Sequence, residues 1–256
     1  MHHESWATSA LFEAAFTEQK DDDFDNPWPA TIELQARGSR EVLDTALTLC
    51  GSLDAGWREL AARILGQLGT PERTFPEECC DALIALLRDA SEDVQIAAIY
   101  ALGHLGNHRG DPHLLRFETH PEPAIRKGVA FSLAGTTLPE AVPVLLRLME
   151  DPDVGARDWA TTTLGAATLF DTPEIRAALL KRATSDDDGM TRGEALHGLT
   201  RRGDRRALPL LIAELVAAGD HTWYFEDAAR TYLGLDGEHD DTPVEELIAG
   251  LRADRH

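Results

Sequence analysis

The side chains with chemical potential come first. Arginine recurs at matching points of a repeated pattern, at Arg58, Arg126, Arg157 and Arg192. A row of guanidinium groups has the form of a catalytic or phosphate-binding array. Asp158 and Trp159 are adjacent. His104, His108, His113 and His120 lie close in sequence, but Gly106 interrupts the helical spacing of the first two, which predicts solvated turn histidines. Asp186-Asp187-Asp188-Gly189 and Asp236–Asp241 are acidic turns. A calcium loop needs oxygen ligands at alternating positions and a late Glu, and neither segment provides them. There is no phosphate-binding Gly loop, no Gly-x-Ser-x-Gly and no His-Glu-x-x-His. The expectation is a protein with no catalytic residue, no metal and no cofactor.

Composition narrows the partners. Asp and Glu number 45 against 24 Lys and Arg, a net charge of −21. Such a surface repels phosphate backbones, so nucleic acid is disfavoured and a basic protein partner is favoured. No apolar run approaches the roughly 18–20 residues that span a bilayer, so no membrane partner is expected. Met1–Gln19 has no basic region of the kind that opens a secretory signal. The three cysteines, Cys50, Cys79 and Cys80, form no disulfide framework and suit a reducing cytoplasm. Lysine is confined to positions 20, 127 and 181, and the bias to Arg, Ala, Asp and Leu suggests a GC-rich bacterial genome.

The elements that must position these side chains emerge from self-similarity. The stretch Val94-Gln-Ile-Ala-Ala-Ile-Tyr-Ala101-Leu-Gly has counterparts beginning at Trp57, Ile125, Ala156, Thr191 and Phe225. Equivalent residues Ile64, Ala101, Ser132, Thr163, Gly198 and Tyr232 are 37, 31, 31, 35 and 34 apart. Six copies at this period predict a solenoid. A second amphipathic segment precedes most copies, as in Ala141–Met149 and Ala207–Val216, and Pro/Asp turns such as Asp151-Pro152-Asp153 separate the two. Each unit thus reads as helix A, turn, helix B. With helix B numbered from zero at Val94, positions 0, 4, 7, 8 and 11 fall on one face, occupied by Val94, Ala98, Ala101, Leu102 and Leu105. That stripe is the expected core.

The Val/Ile-Arg-x-x-Ala-x-x-Ala-Leu-Gly pattern and the Asp-Pro-Asp turn resemble the HEAT repeats, specifically the short bacterial HEAT-like repeats. The resemblance covers roughly residues 38–236. It implies an all-α α-α superhelix of about six helical hairpins with no β-sheet. It also implies that Arg58, Arg126, Arg157 and Arg192 form a structural ladder bonded to acidic turn residues of neighbouring repeats. Gln95 and Glu226 depart from that row.

The expected organisation is a short helix plus acidic, Pro-containing connector at 1–36, repeats over 37–236, and a capping helix with tail at 237–256. Positions 2, 6 and 9 of helix B are expected to line the concave face. They place Ile96, Lys127, Asp158 and Asp227 with Tyr100, Phe131, Thr162 and His197, and Trp159 lies on the flank. These nine residues are the candidate partner-binding surface, an apolar stripe with an acidic border. The function this implies is a cytoplasmic, non-catalytic scaffold or adaptor that binds a protein, one with a basic surface. Two alternatives accompany it. One is an acidic inhibitor or immunity-type protein that neutralises a basic partner. The other is a HEAT-like enzyme resembling the phycobilin lyases or the alkylpurine DNA glycosylases, which use Trp and Asp on a basic surface that this chain lacks.

Overall fold

In the computed structural model, residues 6–19, 28–217, 222–235 and 242–254 are described. They form fifteen α-helices and, among the described residues, no strand. The chain divides into two compact units, Met1–Phe117 and Glu118–His256.

Unit 1 contains α1 (Thr8–Glu18), α2 (Pro29–Arg37), α3 (Arg40–Leu49), α4 (Ala55–Gly66), α5 (Pro76–Leu86), α6 (Glu92–Leu105) and the single turn α7 (Asp111–Leu114). Consecutive helices pair, and α2, α4 and α6 are the B helices. Starts are marked chemically. The Ser39 hydroxyl accepts from Val42 N and the Asp54 carboxylate from Gly56 N, while Pro29 and Pro76 occupy first-turn positions where no amide donor is needed. At α2 the capping group comes from another helix: Glu18 accepts from the amides of Ala30 (2.8 Å) and Thr31 (3.2 Å). Phe16 of α1 stacks on Trp57 of α4 with centroids 3.9 Å apart.

These contacts bind the N-terminal helices into unit 1. The sequence reading places a short helix here and extends it no further than residue 16; the structure continues α1 to Glu18 and adds α2. The connector expected between them lies mostly outside the described residues, as does the acidic turn Asp236–Asp241.

Unit 2 contains α8 (Pro123–Ser132), α9 (Ala141–Leu148), α10 (Val154–Thr162), α11 (Pro173–Ser185), α12 (Gly189–Arg201), α13 (Ala207–Ala217), α14 (Thr222–Leu233) and α15 (Val244–Ala253). Here α8, α10, α12 and α14 are the B helices. Asp153, Thr172 and Asp188 cap α10, α11 and α12 through side-chain oxygens. The helix of α10 continues through Thr163–Ala167 as a π turn. Two of its carbonyls are met by Arg202, which donates to Leu164 O (2.6 Å) and Gly165 O (2.6 Å), and also to Phe170 O (2.8 Å) beyond the turn and to Gly198 O (2.7 Å) of α12.

The core follows the helix-B stripe. Val94 and Ala98 are fully buried, and Ala101, Leu102 and Leu105 nearly so. Ile125, Val129 and Leu133 repeat this in α8 and its C-cap, and Ala156, Ala160 and Leu164 in α10 and the turn after it. Each buried Leu, Ile or Val contributes about 1.5–3 kcal/mol of transfer free energy.

Position 9 differs from expectation. Gly66 and Gly165 do not line an open surface; they are buried where neighbouring B helices meet. A Cβ on Gly66 would lie 2.7 Å from Ala101 Cα, and one on Gly198 would lie 2.6 Å from Gly165 Cα. Hydrogen side chains at these points set how closely adjacent hairpins approach. Closure of α6 falls instead to Gly106, left-handed at φ 66°.

Candidate functional site

The arginine row has one geometry in both units. In unit 1, Arg58 grips Asp89 with two bonds of 2.7 and 2.8 Å. In unit 2, Arg126 grips Asp151 at 2.7 and 2.8 Å, and Arg157 grips Asp186 at 3.1 and 3.3 Å. Arg192 makes a single bond of 2.8 Å to Glu214. Every one of these arginines also donates to the carbonyl six residues before it: Ser52, His120, Asp151 and Asp186. Gln95 keeps that second bond, to Asp89 O at 2.6 Å, without the charge. The aspartates are used twice, since Asp89, Asp151 and Asp186 also accept from the amides of Ser91, Asp153 and Asp188. All guanidinium donors directed at these partners are thereby consumed within the fold, which leaves no open array for phosphate.

The B-helix face of unit 1 holds a pocket of about 390 Å³. Ile96, Tyr100 and His104 of α6 form one wall, and Trp28, Thr31, Ile32 and Gln35, at and along α2, form the other. Arg63 and Gln67 at the end of α4 lie between them. Trp28 sits before Pro29 in a left-handed conformation (φ 49°), which turns its indole beneath the Arg63 guanidinium, 5.2 Å from the ring centroid. Arg63 is in turn held by Glu59 at 2.6 Å. Ile32 is 54% exposed at the pocket edge. The volume and the mixture of apolar walls with a few polar groups match a recognition pocket.

In unit 2 the candidate residues fall into three groups. Phe131 and Trp159 pack edge-to-face on each other, centroids 4.8 Å apart. His197 lies between Asp227 and Thr231 of α14, with Nδ1 3.7 Å from the Asp227 carboxylate and Nε2 3.2 Å from the Thr231 hydroxyl. Asp158 and Thr162 act on a residue the sequence reading did not single out, Glu194 of α12, while Lys127 acts on Asp158. Burial pushes the Asp158 carboxyl up to about 6, with Asp188 adding repulsion against the opposing pull of Lys127. Burial likewise pushes Glu194 up to about 7, and Asp158 adds to it. The structure thus joins Ile96 with Tyr100, Phe131 with Trp159, and His197 with Asp227.

Trp28, Ile32, Gln35 and Glu194 were missed. Glu194 occupies position 3 of its helix, the position of Trp159 in α10, and a search of that flank would have found it. Among the cysteines, burial pushes Cys50 up to about 11 and Cys79 up to about 12, so neither is a thiolate at neutral pH. No helix among the described residues is long and apolar enough to cross a membrane.

Known proteins share this architecture. A profile of HEAT repeats matches residues 112–199, and one of the PBS lyase HEAT-like repeat matches residues 57–89. Protein YibA of Escherichia coli (strain K12) is 26% identical over 195 residues, which span 71% of this chain and 66% of YibA, just under two thirds of that relative. The X-ray structure of E. coli YibA superposes with a TM-score of 0.69 at 21% identity, covering 97% of this chain and 93% of that one. The complex of CpcE and CpcF of phycocyanin lyase from Nostoc sp. PCC7120 gives 0.51 at 19% identity over 94% of each chain. A designed armadillo repeat protein gives 0.51 at 15%, covering 76% of this chain and all of that one. At these identities the structural likenesses are likenesses of fold. The repeat matches and the helical hairpins agree: residues 112–199 and 57–89 are similar to repeats of the HEAT and PBS lyase HEAT-like kinds, and the fold is all-α.

Proposed function

We propose that this chain is a non-catalytic, cytoplasmic scaffold that binds a protein partner on its B-helix faces, and that the partner presents a basic surface. The observation that carries this reading is the unit 1 pocket. Its walls combine Trp28, Ile32, Ile96 and Tyr100, and large apolar and aromatic groups at a concavity dominate interface energies where they occur. The net charge of −21 supports the basic character of the partner, since complementary charge speeds encounter and rejects acidic competitors. An inhibitor that neutralises a basic protein would use the same surface and the same charge.

The test begins with the immobilised chain and a bacterial lysate, with each captured protein identified, expressed and purified. Hydroxyl-radical footprinting of the purified complex then reads side-chain exposure. Protection of Trp28 and Tyr100 is the expected result. A complex in which both remain as reactive as in the free chain would overturn the reading.

A further inference from the structure

The unit 1 pocket carries polar groups that the fold does not engage. Gln35 of α2 lines it and is 9% exposed. Its Nε2 donates to Arg63 O at 3.1 Å, while its Oε1 accepts from no donor among the described residues. That oxygen keeps accessible surface, unlike the sealed amide oxygens of Gln19 and Gln95. An acceptor left open on a buried side chain calls for an N–H from outside the fold. Open donors stand beside it. Arg63 gives Nε and Nη2 to a single Glu59 oxygen, at 3.2 and 2.6 Å, and its Nη1 meets no acceptor among the described residues. The side chain of Arg63 is 39% exposed. Trp28 and Gln67 are half-buried at the same pocket, and among the described residues neither the indole N–H nor the Gln67 amide has a hydrogen-bond partner.

The local charges favour an anion here, although the whole chain is acidic. Both carboxylates near the pocket are committed, Glu59 to Arg63 and Glu18 to the amides of Ala30 and Thr31. At the other end Arg73 donates to His104 O at 3.1 and 3.3 Å and has no carboxylate partner among the described residues. The apolar walls of Ile32, Ile96 and Tyr100 adjoin these groups. The occupant must therefore combine three features in a small space: an acceptor-only anion, an N–H and an apolar group. A carboxylate is acceptor-only. The last residue of a polypeptide carries its carboxylate, its amide N–H and its side chain on a single Cα. An internal Asp or Glu holds its carboxylate at the tip of the side chain and brings no apolar group with it.

We propose that the unit 1 pocket captures the C-terminal residue of the protein partner, a residue with a large apolar side chain. Its carboxylate takes the open donors of Arg63, Trp28 and Gln67, its amide N–H serves Gln35 Oε1, and its side chain lies against Ile32, Ile96 and Tyr100. The proposal rests on the partner-binding reading above and adds that a chain end enters the pocket. It is compatible with a basic surface on the rest of the partner, since every chain ends in a carboxylate.

The test uses the full chain with nitrogen-15 in its tryptophan indoles, the Trp28 signal being the one lost in Trp28→Phe. The probes are acetyl-Ser-Gly-Leu with a free C-terminus, the same peptide as its C-terminal amide, acetyl-Ser-Gly-Gly with a free C-terminus, and isocaproate, which keeps the leucine-like chain and the carboxylate but has no amide. The free-acid leucine peptide should shift the Trp28 signal and bind at least about tenfold more tightly than its amide or the glycine peptide. Arg63→Met should weaken it by a similar factor with helicity unchanged, and Gln67→Ala serves if that variant does not fold. Equal binding of the amide, a silent Trp28 signal, or unchanged binding by the folded variant would overturn the proposal. So would isocaproate binding as tightly as the peptide, the mark of a site for small carboxylates, or acetyl-Ser-Glu-Gly-amide doing so, the mark of an internal acidic side chain. With a purified partner the two claims separate. If Ile32→Ala with Tyr100→Ala abolishes binding while a partner extended by Gly-Gly at its C-terminus binds normally, the chain-end claim fails and the scaffold reading stands. If the aromatic-pocket variant binds normally, the scaffold reading fails.

Discussion

Arg126 and Asp151 are joined by two hydrogen bonds of 2.7 and 2.8 Å, and each residue is also tied to a turn. Arg126 donates to the carbonyls of His120 and Pro121, and Asp151 accepts from the amide of Asp153. The side chains are 11% and 6% exposed, so the pair is nearly dry. One ion pair therefore clamps the turn before α8 to the turn before α10, and the unit spacing of the stack is fixed by charge as well as by apolar packing.

Arg126→Ala is expected to destabilise the fold by about 3 kcal/mol, because it leaves Asp151 buried without its partner. Urea denaturation would measure this, with binding by the surviving folded protein changed little. Although burial alone would push Asp151 up, the Arg126 bonds hold it below the usual carboxylate range. A depressed folded value means the stabilisation is present above the unfolded value near 4 and is lost as pH falls through the folded one. The mutational loss should therefore be full at neutral pH and shrink in strong acid.

Glu194→Gln should act with the opposite sign. The folded carboxyl sits at about 7, so the unfolded chain ionises first as pH rises, and stability falls between about pH 4 and 7. The variant should match the wild type near pH 4 and exceed it at pH 8 by roughly 1 kcal/mol, after allowance for solvent screening at a part-exposed group. Thermal melts across that range check it. A variant less stable than the wild type at pH 8 would show that the carboxylate is satisfied within the fold.

Gly198→Ala tests the approach of α10 and α12. Alanine favours a helix over glycine by roughly 1 kcal/mol. Here its Cβ would lie 2.6 Å from the backbone of Gly165, which cannot swing aside. Net destabilisation of about 2 kcal/mol is expected. A neutral or stabilising outcome in urea melts would mean that the two hairpins have room to separate.

Arg202→Met removes the donor for four carbonyls, Leu164 and Gly165 in the π turn after α10, Phe170 beyond it and Gly198 of α12, from a side chain only 8% exposed. A loss of about 2–3 kcal/mol is expected in the same melts. Hydrogen exchange should also rise over residues 198–202, where the α12 end loses its link to that turn.

The fold was legible where a period carried it. The stripe from Val94 to Leu105 repeats every 3.6 residues, and its buried positions could be named before any coordinates. The pocket was half legible. Ile96 and Tyr100 sit in a helix that keeps the consensus, whereas α2 reads Pro29-Ala-Thr-Ile-Glu-Leu-Gln-Ala-Arg37 and lacks the repeated Arg and Ala. Its place against α4 depends on Gln35 Nε2 bonding Arg63 O and on Glu18 capping its first turn. Contacts between segments leave no local period, so Trp28 and Ile32 could not be drawn into the surface. The segment before α8 was hard to read for another reason: Gly110 and Pro112 break it into 3-10 turns flanking the single turn α7. Glu194 was hidden because a carboxylate on a helix flank is normally solvated, and only packing by α10 and α14 desolvates it.

The central claim is that the unit 1 pocket seats the partner. Its most direct test is calorimetric titration of the purified partner into the wild type and into Ile32→Ala with Tyr100→Ala. Both side chains line the pocket and Ile32 is half exposed, so the variant should keep its helicity and melting temperature. The account predicts affinity weakened at least about thirtyfold, the loss of roughly 2 kcal/mol expected from two anchor groups. An unchanged dissociation constant in a fully folded variant would contradict it.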